Sequence, residues 1–410
     1  MPDQAAQPAD TKSRAWRYTR LVVILLIAGV LVALIGWGLG RRPAAYRRAG
    51  RFPLYMDKGG DLLLGCGITP CLTGFCVRED AFVFILRDWE TGKARWQVSD
   101  ITIPYADPKK SAISWTPEGE FHAAVSPDGH FFVAAAAEDA TLRVRTWRDG
   151  TSQGEAALSL PSLLPKGRKA QVQHLLAGVT DGGRCFVVFD LITRAKPTIN
   201  HAFAIEGNDV IAHYSGPRVP HFSPDGNTVL YRDTLARVVI DGKALRFADP
   251  VTVPDIKYRG VGAGSVAVTE DGSIYRLSGK HTLMKGFTCD TVTISGRYAL
   301  LCKGNISRAV ELKTGSFWEI DVPRENQGGD VTEDGRHILA LFATKPGSLT
   351  GLLRNAVSEQ QNHFIALYAN PNRLCAWMRI DPLRPTSWWP SPDGRAVAIT
   401  TERECLLYRW

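Results

Sequence analysis

Beyond residue 40 the sequence has almost no helical periodicity, which excludes a helical bundle for the bulk of the chain. It has no Cys-x-x-Cys and no Cys-x-x-Cys-His, so thioredoxin-type redox chemistry and c-type haem attachment are excluded. It has no His-x-x-x-His or His-Glu-x-x-His, which removes the helical zinc-protease arrangement. Between residues 55 and 410 there is no Pro/Ser-rich linker and no block of like charge, so nothing marks a second domain. The same region has little net charge. Residues 1–51 hold nine Lys/Arg against Asp3 and Asp10, a net of +7, which leaves only +1 of the chain's +8 for the rest. A nucleic-acid-binding domain keeps its basic excess in the folded part, so no nucleic-acid partner is expected.

What the sequence does have is one corner, repeated. Ser126-Pro127-Asp128-Gly129, Ser223-Pro224-Asp225-Gly226 and Ser391-Pro392-Asp393-Gly394 each run straight into an apolar strand. Looser copies are Thr180-Asp181-Gly182-Gly183, Thr269-Glu270-Asp271-Gly272 and Thr332-Glu333-Asp334-Gly335. Asp-Gly between apolar runs is a hairpin signal, because glycine supplies positive φ and the Ser or Thr hydroxyl bonds nearby backbone. Asp128, Asp181, Asp225, Asp271, Asp334 and Asp393 are therefore read as structural, together with Gly129, Gly182, Gly226, Gly272, Gly335 and Gly394. A degenerate corner lies at Ile294-Ser295-Gly296-Arg297, and a first unit begins at Lys58-Gly59-Gly60-Asp61. Units of roughly 40 to 50 residues, each worth about four strands, lie in the propeller range.

These corners resemble those of WD-repeat and TolB-like β-propellers, although the Trp-Asp dipeptide that ends a standard WD blade is missing. The resemblance implies an all-β fold: a single propeller of six to seven four-stranded blades over residues 55–410. Blade-joining loops and the face around the central channel would bind partners. The last unit is short, so N-terminal strands near Phe52–Tyr55 or Leu62–Leu64 are expected to complete it and remove an exposed edge. Gln153–Gln173 and Lys345–His363 break the pattern and read as inserted loops.

Leu21–Gly40 is twenty residues without a charge, long enough for a helix to cross roughly 30 Å of hydrocarbon. Trp16, Tyr18 and Trp37 flank it, where amphipathic rings sit at an interface. Residues 1–20 then form a short basic tail, 21–40 a transmembrane helix contacting the lipid bilayer, and 41–54 a basic juxtamembrane linker. The flanking charges nearly cancel, and long domains cross membranes largely regardless of charge, which favours a propeller on the extracytoplasmic side, with a cytoplasmic propeller as the alternative.

The eight cysteines include Cys66, Cys71 and Cys76 in a Gly/Thr-rich, loop-like stretch. A local disulfide between two of them is expected if the domain is exported. No second Cys pair or His lies close enough for a zinc site. Asp88-x-x-Thr91-Gly92-Lys93-x-x-Trp96 resembles a docking motif of quinoprotein propellers, which bind pyrroloquinoline quinone. It occurs once well and once poorly, at Lys313-Thr314-Gly315-x-x-Trp318, which favours a hairpin with a packing tryptophan. His122, His213 and His221 are expected near strand ends, bonding backbone. No metal, cofactor or catalytic residue is assigned. The expected function is a membrane-anchored protein-interaction or assembly module at a cell envelope. The alternative is an envelope enzyme, hydrolytic or quinone-type, with residues converging on the channel.

Overall fold

The computed structural model describes strands and tight turns between residues 44 and 409. Residues 1–43, 54–60, 64–70, 102–120, 345–361 and shorter connecting stretches lie outside the described residues. The proposed helix 21–40 falls there. Among the described residues no helix is long and apolar enough to cross a membrane.

Every sheet is built from four strands consecutive in sequence, save where the N-terminus joins in. After β1 (Ala44–Ala45) and β2 (Arg47–Pro53), the first blade is β3 (Asp61–Leu63), β4 (Cys71–Arg78), β5 (Ala81–Asp88) and β6 (Ala94–Ile101). The second is β7 (Phe121–Val125), β8 (Phe131–Glu138), β9 (Thr141–Arg148) and β10 (Thr151–Ser159). A short 3-10 turn at Leu160–Leu163 leads to the third, β11 (Ala170–Val179), β12 (Cys185–Thr193), β13 (Ile199–Glu206) and β14 (Asp209–Gly216). The fourth is β15 (Pro220–Phe222), β16 (Thr228–Tyr231), β17 (Thr234–Asp241) and β18 (Ala244–Thr252). A single parallel bridge, His213 to Ala244, joins the third and fourth.

The fifth blade has the shortest strands, β19 (Val261–Gly262), β20 (Val266–Val268), β21 (Ile274–Arg276) and β22 (Gly279–His281). The sixth is β23 (Thr291–Ser295), β24 (Tyr298–Lys303), β25 (Ile306–Glu311) and β26 (Phe317–Asp321). The seventh is β27 (Asn326–Val331), β28 (His337–Thr344), β29 (Asn362–Ala369) and β30 (Arg373–Arg379), with β1 added beside β30. The eighth is β31 (Ser387–Pro390), β32 (Ala396–Thr400) and β33 (Glu404–Arg409), completed by β2.

The blade count is therefore eight, not six to seven. Asp61–Leu63 opens a blade of its own, while Arg47–Pro53 closes the last by pairing antiparallel with β33 from Arg47 opposite Arg409 to Pro53 opposite Glu404. The stretch 41–54, expected as a linker, thus contains a strand. Its arginines disguised it: an outermost strand has an edge at the rim, where charge is tolerated and discourages further pairing. The expected loop at Gln153–Gln173 is largely β10 and β11. Ala156, Leu158 and Leu160 are buried at every second position, a strand period that the surrounding polar residues masked.

Successive blades pack through apolar faces. Phe84 and Phe132 stack at 4.0 Å between the first two, both fully buried, each contributing roughly 1.5–3 kcal/mol of transfer free energy. Val133, Ala135 and Val144 meet Leu175, Val187 and Phe189 between the second and third. Phe186 stacks on Phe222 at 4.3 Å between the third and fourth. Leu230 and Leu235 pack with Ala267 and Tyr275, Val266 and Ile274 with Ala299 and Leu301, and Leu300 with Ile338 and Ala366, which carries the chain of contacts to the seventh. Leu367 of the seventh lies against Gly394 of the eighth, and β3 touches β33, so the ring closes.

The corners hold this ring. Ser223 Oγ accepts the Thr228 N–H at 3.0 Å and donates to Asp225 Oδ1, which also takes the Asn227 N–H at 3.1 Å. The same bonds recur at Ser126–Phe131, Thr332–His337 and Ser391–Ala396. Gly226 has φ +70°, and a Cβ there would lie 2.5 Å from the Phe186 ring of the preceding blade, so glycine meets both a backbone and a packing demand. Asp271 and Gly272 lie outside the described residues. Two tryptophans dock blade on blade: Trp96 Nε1 donates to Gly129 O at 3.2 Å and Trp318 Nε1 to Gly335 O at 2.9 Å.

Candidate functional site

The first strand of each four-stranded sheet is an edge strand, with one side of its backbone unpaired within the sheet. At β7, β11 and β15 that arrangement forms a cavity of about 370 Å³. Its wall is mostly apolar: Leu176, Phe186, Val188, Pro220 and Phe222, with His122 and His221 among them. Leu176 is 37% exposed, one of few large apolar side chains left open among the described residues. A register shift in β11 between Gln173 and Leu176 displaces it from simple alternation.

His122 reaches across the blade boundary. Its Nδ1 accepts the Ala177 N–H at 3.1 Å, from a residue 55 positions away, which satisfies a donor on the unpaired side of β11. Burial pushes its imidazole below the ordinary histidine value, against the Ala177 bond that raises it, so the ring is neutral near pH 7. With Nδ1 accepting, the ring proton sits on Nε2. His221 also lines the wall. His213 lies elsewhere, on β14, paired with His201 of β13 within the third blade.

The wall ends at three corners, at Pro127, Thr180 and Pro224, so Asp128, Asp181 and Asp225 follow directly. Two of these touch. The corner at Thr180, like that at Thr269, closes one residue sooner than those at Ser126, Ser223, Thr332 and Ser391, with Arg184 N–H bonded to Thr180 Oγ1, and its left-handed residue is Gly183 (φ +81°), not Gly182. Asp181 is consequently not used inside its own turn. Its Oδ1 accepts the Asp128 N–H at 2.9 Å instead. Burial raises the Asp128 carboxyl, but bonds from Ser126 and the His130 backbone, with smaller help from His130 and Asp181, hold it below the usual range. Asp181 is raised, by burial first and then by the Asp128 charge, despite the Asp128 N–H. His130 pairs with Asp149 at 2.8 Å and Arg184 with Glu206 at 2.6 Å. No cation pairs with Asp181 among the described residues.

Cys71 and Cys76 both fall on β4, five positions apart. Five strand residues span roughly 16 Å, whereas bridged Cα atoms lie within about 7 Å, so these two do not bridge each other. The expected loop is instead a paired strand from Cys71 opposite Asp88 to Arg78 opposite Ala81. Cys66 and the side chains of Cys71 and Cys76 lie outside the described residues. Cys185, Cys289, Cys302 and Cys375 form no disulfide. Among the described residues no group of three His, Cys, Asp or Glu is placed to hold a metal. Gly150-Thr151-Ser152-Gln153-Gly154 has the Gly-x-Ser-x-Gly spacing of a nucleophile elbow. It joins β9 to β10, strand to strand, whereas the elbow requires a strand-to-helix turn.

No protein-family model and no curated protein sequence matches the chain. Solved structures similar to it include the Myceliophteria thermophila Cps50 (Swd1) β-propeller domain, at 10% identity, TM-score 0.37, covering 90% of this chain and 99% of that one. A chain of the mitotic checkpoint complex aligns at 12% identity and TM-score 0.35, covering 90% and 95%. The dihydro-heme d1 dehydrogenase NirN in complex with DHE aligns at 13% and 0.39, covering 78% and 69%. Values this low assign no family. The propeller architecture stands on the sheet topology described above.

Proposed function

We propose that this protein is a single-pass, membrane-anchored propeller that works as a protein-interaction or assembly module at the cell envelope. The observation that carries the interaction role is the open apolar cavity across β7, β11 and β15, a preformed concave site on a rigid scaffold. The tether rests on the uncharged run Leu21–Gly40, with residues 1–20 as its basic tail and the ring on the extracytoplasmic side. Tethering raises effective concentration beside the bilayer, so modest affinities suffice.

The enzymatic alternative has one observation in its favour, the Asp128–Asp181 carboxyl contact beside a cavity. Asp128 is committed to its corner by Ser126 and His130, which suits it to holding a turn more than to moving protons.

Two measurements test the proposal. A photo-crosslinking amino acid at Leu176 should give discrete protein adducts in cells, and the same group at Glu319 on the outer strand of the sixth blade should not. A membrane-impermeant thiol reagent applied to sealed cells should reach Cys375, which is partly exposed. Equal crosslinking at both positions would remove the interaction site, and labelling only after lysis would put the ring on the other side.

A further inference from the structure

The cavity and the corner carboxylates together define what fits, and this inference rests on the interaction role proposed above. We infer that the site takes a peptide segment of a partner in which an apolar side chain adjoins a lysine or arginine. The apolar side chain fills the wall of Leu176, Phe186, Val188 and Phe222, and the basic group lies at Asp181.

Volume, polarity and charge argue this separately. A space of about 370 Å³ exceeds a single leucine or phenylalanine side chain, so it accommodates one together with the stem of its neighbour. The wall offers little to a charged group, apart from the His122 and His221 rings. The His122 ring is neutral and has one Nε2 donor, suited to a peptide carbonyl and unable to balance a carboxylate. At the end of the wall the field is negative. Asp181 carries a charge that its own turn does not need, it is next to Asp128, and the nearby basic groups, His130 and Arg184, already hold Asp149 and Glu206. An acidic segment is repelled there. A cation relieves the like-charge contact between Asp128 and Asp181 and gains an ion pair at the rim. Lysine and arginine deliver it on an apolar stem that continues the wall contact.

The test uses the full chain in detergent micelles on an array of twelve-residue peptides that pair Leu, Phe or Ser with Lys, Arg, Gln or Glu at neighbouring positions. The inference expects retention of Leu/Phe–Lys/Arg peptides, weakening as salt is raised. Leu176→Asp, at an exposed position, should abolish it. Asp181→Asn, which keeps an oxygen for the Asp128 N–H, should cut binding of the basic peptides about five- to tenfold and leave the Leu/Phe–Gln peptides unchanged. Binding that depends on Leu176 but is indifferent to Asp181→Asn, or that favours Glu, would overturn the inference while leaving the interaction site standing. Binding unaffected by Leu176→Asp, or no binding to any peptide, would overturn both.

Discussion

His201 Nδ1 and His213 Nε2 lie 3.0 Å apart, with the two rings parallel to within 7° and Phe203 stacked on His213 at 4.3 Å. One ring must donate and the other accept, so the contact needs at least one neutral imidazole. His201 is 2% exposed, and its other nitrogen is buried without a partner. Burial, with the His213 charge adding to it, pushes the His201 imidazole down to about 4, and burial lowers His213.

Acid should therefore weaken the fold. The unfolded chain binds protons at these histidines near their ordinary value of 6.5, and the folded chain does not until lower pH. Stability rises with pH wherever the unfolded state holds more protons. It is thus complete above about pH 6.5 and falls as pH drops from there toward 4, by up to about 1.4 kcal/mol per pH unit for each histidine. His122 and His337 are lowered too and act in the same direction. Thermal denaturation from pH 7 to 5 measures the slope. His201→Gln, which does not titrate, should flatten it.

The ring should depend on its N-terminal strand. A chain beginning at residue 44 keeps β2 and should melt where the full chain does. One beginning at residue 54 leaves the β33 edge unpaired, so its melting temperature should fall and it should associate edge to edge. Calorimetry and light scattering separate the two.

The tryptophan latch between the sixth and seventh blades is a discrete bond. Trp318→Phe keeps the aromatic ring but deletes the N–H donated to Gly335 O. The loss should be about 1 kcal/mol, read from the urea midpoint.

Buried thiols should be silent. Burial pushes Cys185 up to about 12 and also raises Cys302. Alkylation of the native protein at pH 8 should modify Cys375 and spare Cys185, Cys289 and Cys302, as mass spectrometry of digests would show.

The corners were legible because their chemistry is local. Ser126, Asp128 and Gly129 answer to one another within six residues. The blade count was not, since it turned on which N-terminal stretch, near Phe52 or at Leu62–Leu64, completes the last blade, and the strand that does, Arg47–Pro53, has its partner some 350 positions away at β33. Gly182 and Gly183 could not be told apart, because the choice depends on where Arg184 bonds Thr180. The cavity was least visible. His122, Leu176 and His221 share no spacing, and only the neighbouring of three blades brings them to one wall. The Asp181 carboxylate reads as one more turn residue until its turn is seen to close a residue short.

The pairing of β2 with β33 has a cost at birth. The first strand of the ring leaves the ribosome long before its mate, and at about 5–20 residues per second it waits roughly 20–70 s. During that interval up to seven nascent blades present an open seam. A cell making this protein must shelter that seam, and slowing translation through the codons of the last blade would lengthen the exposure without altering one contact of the finished wheel.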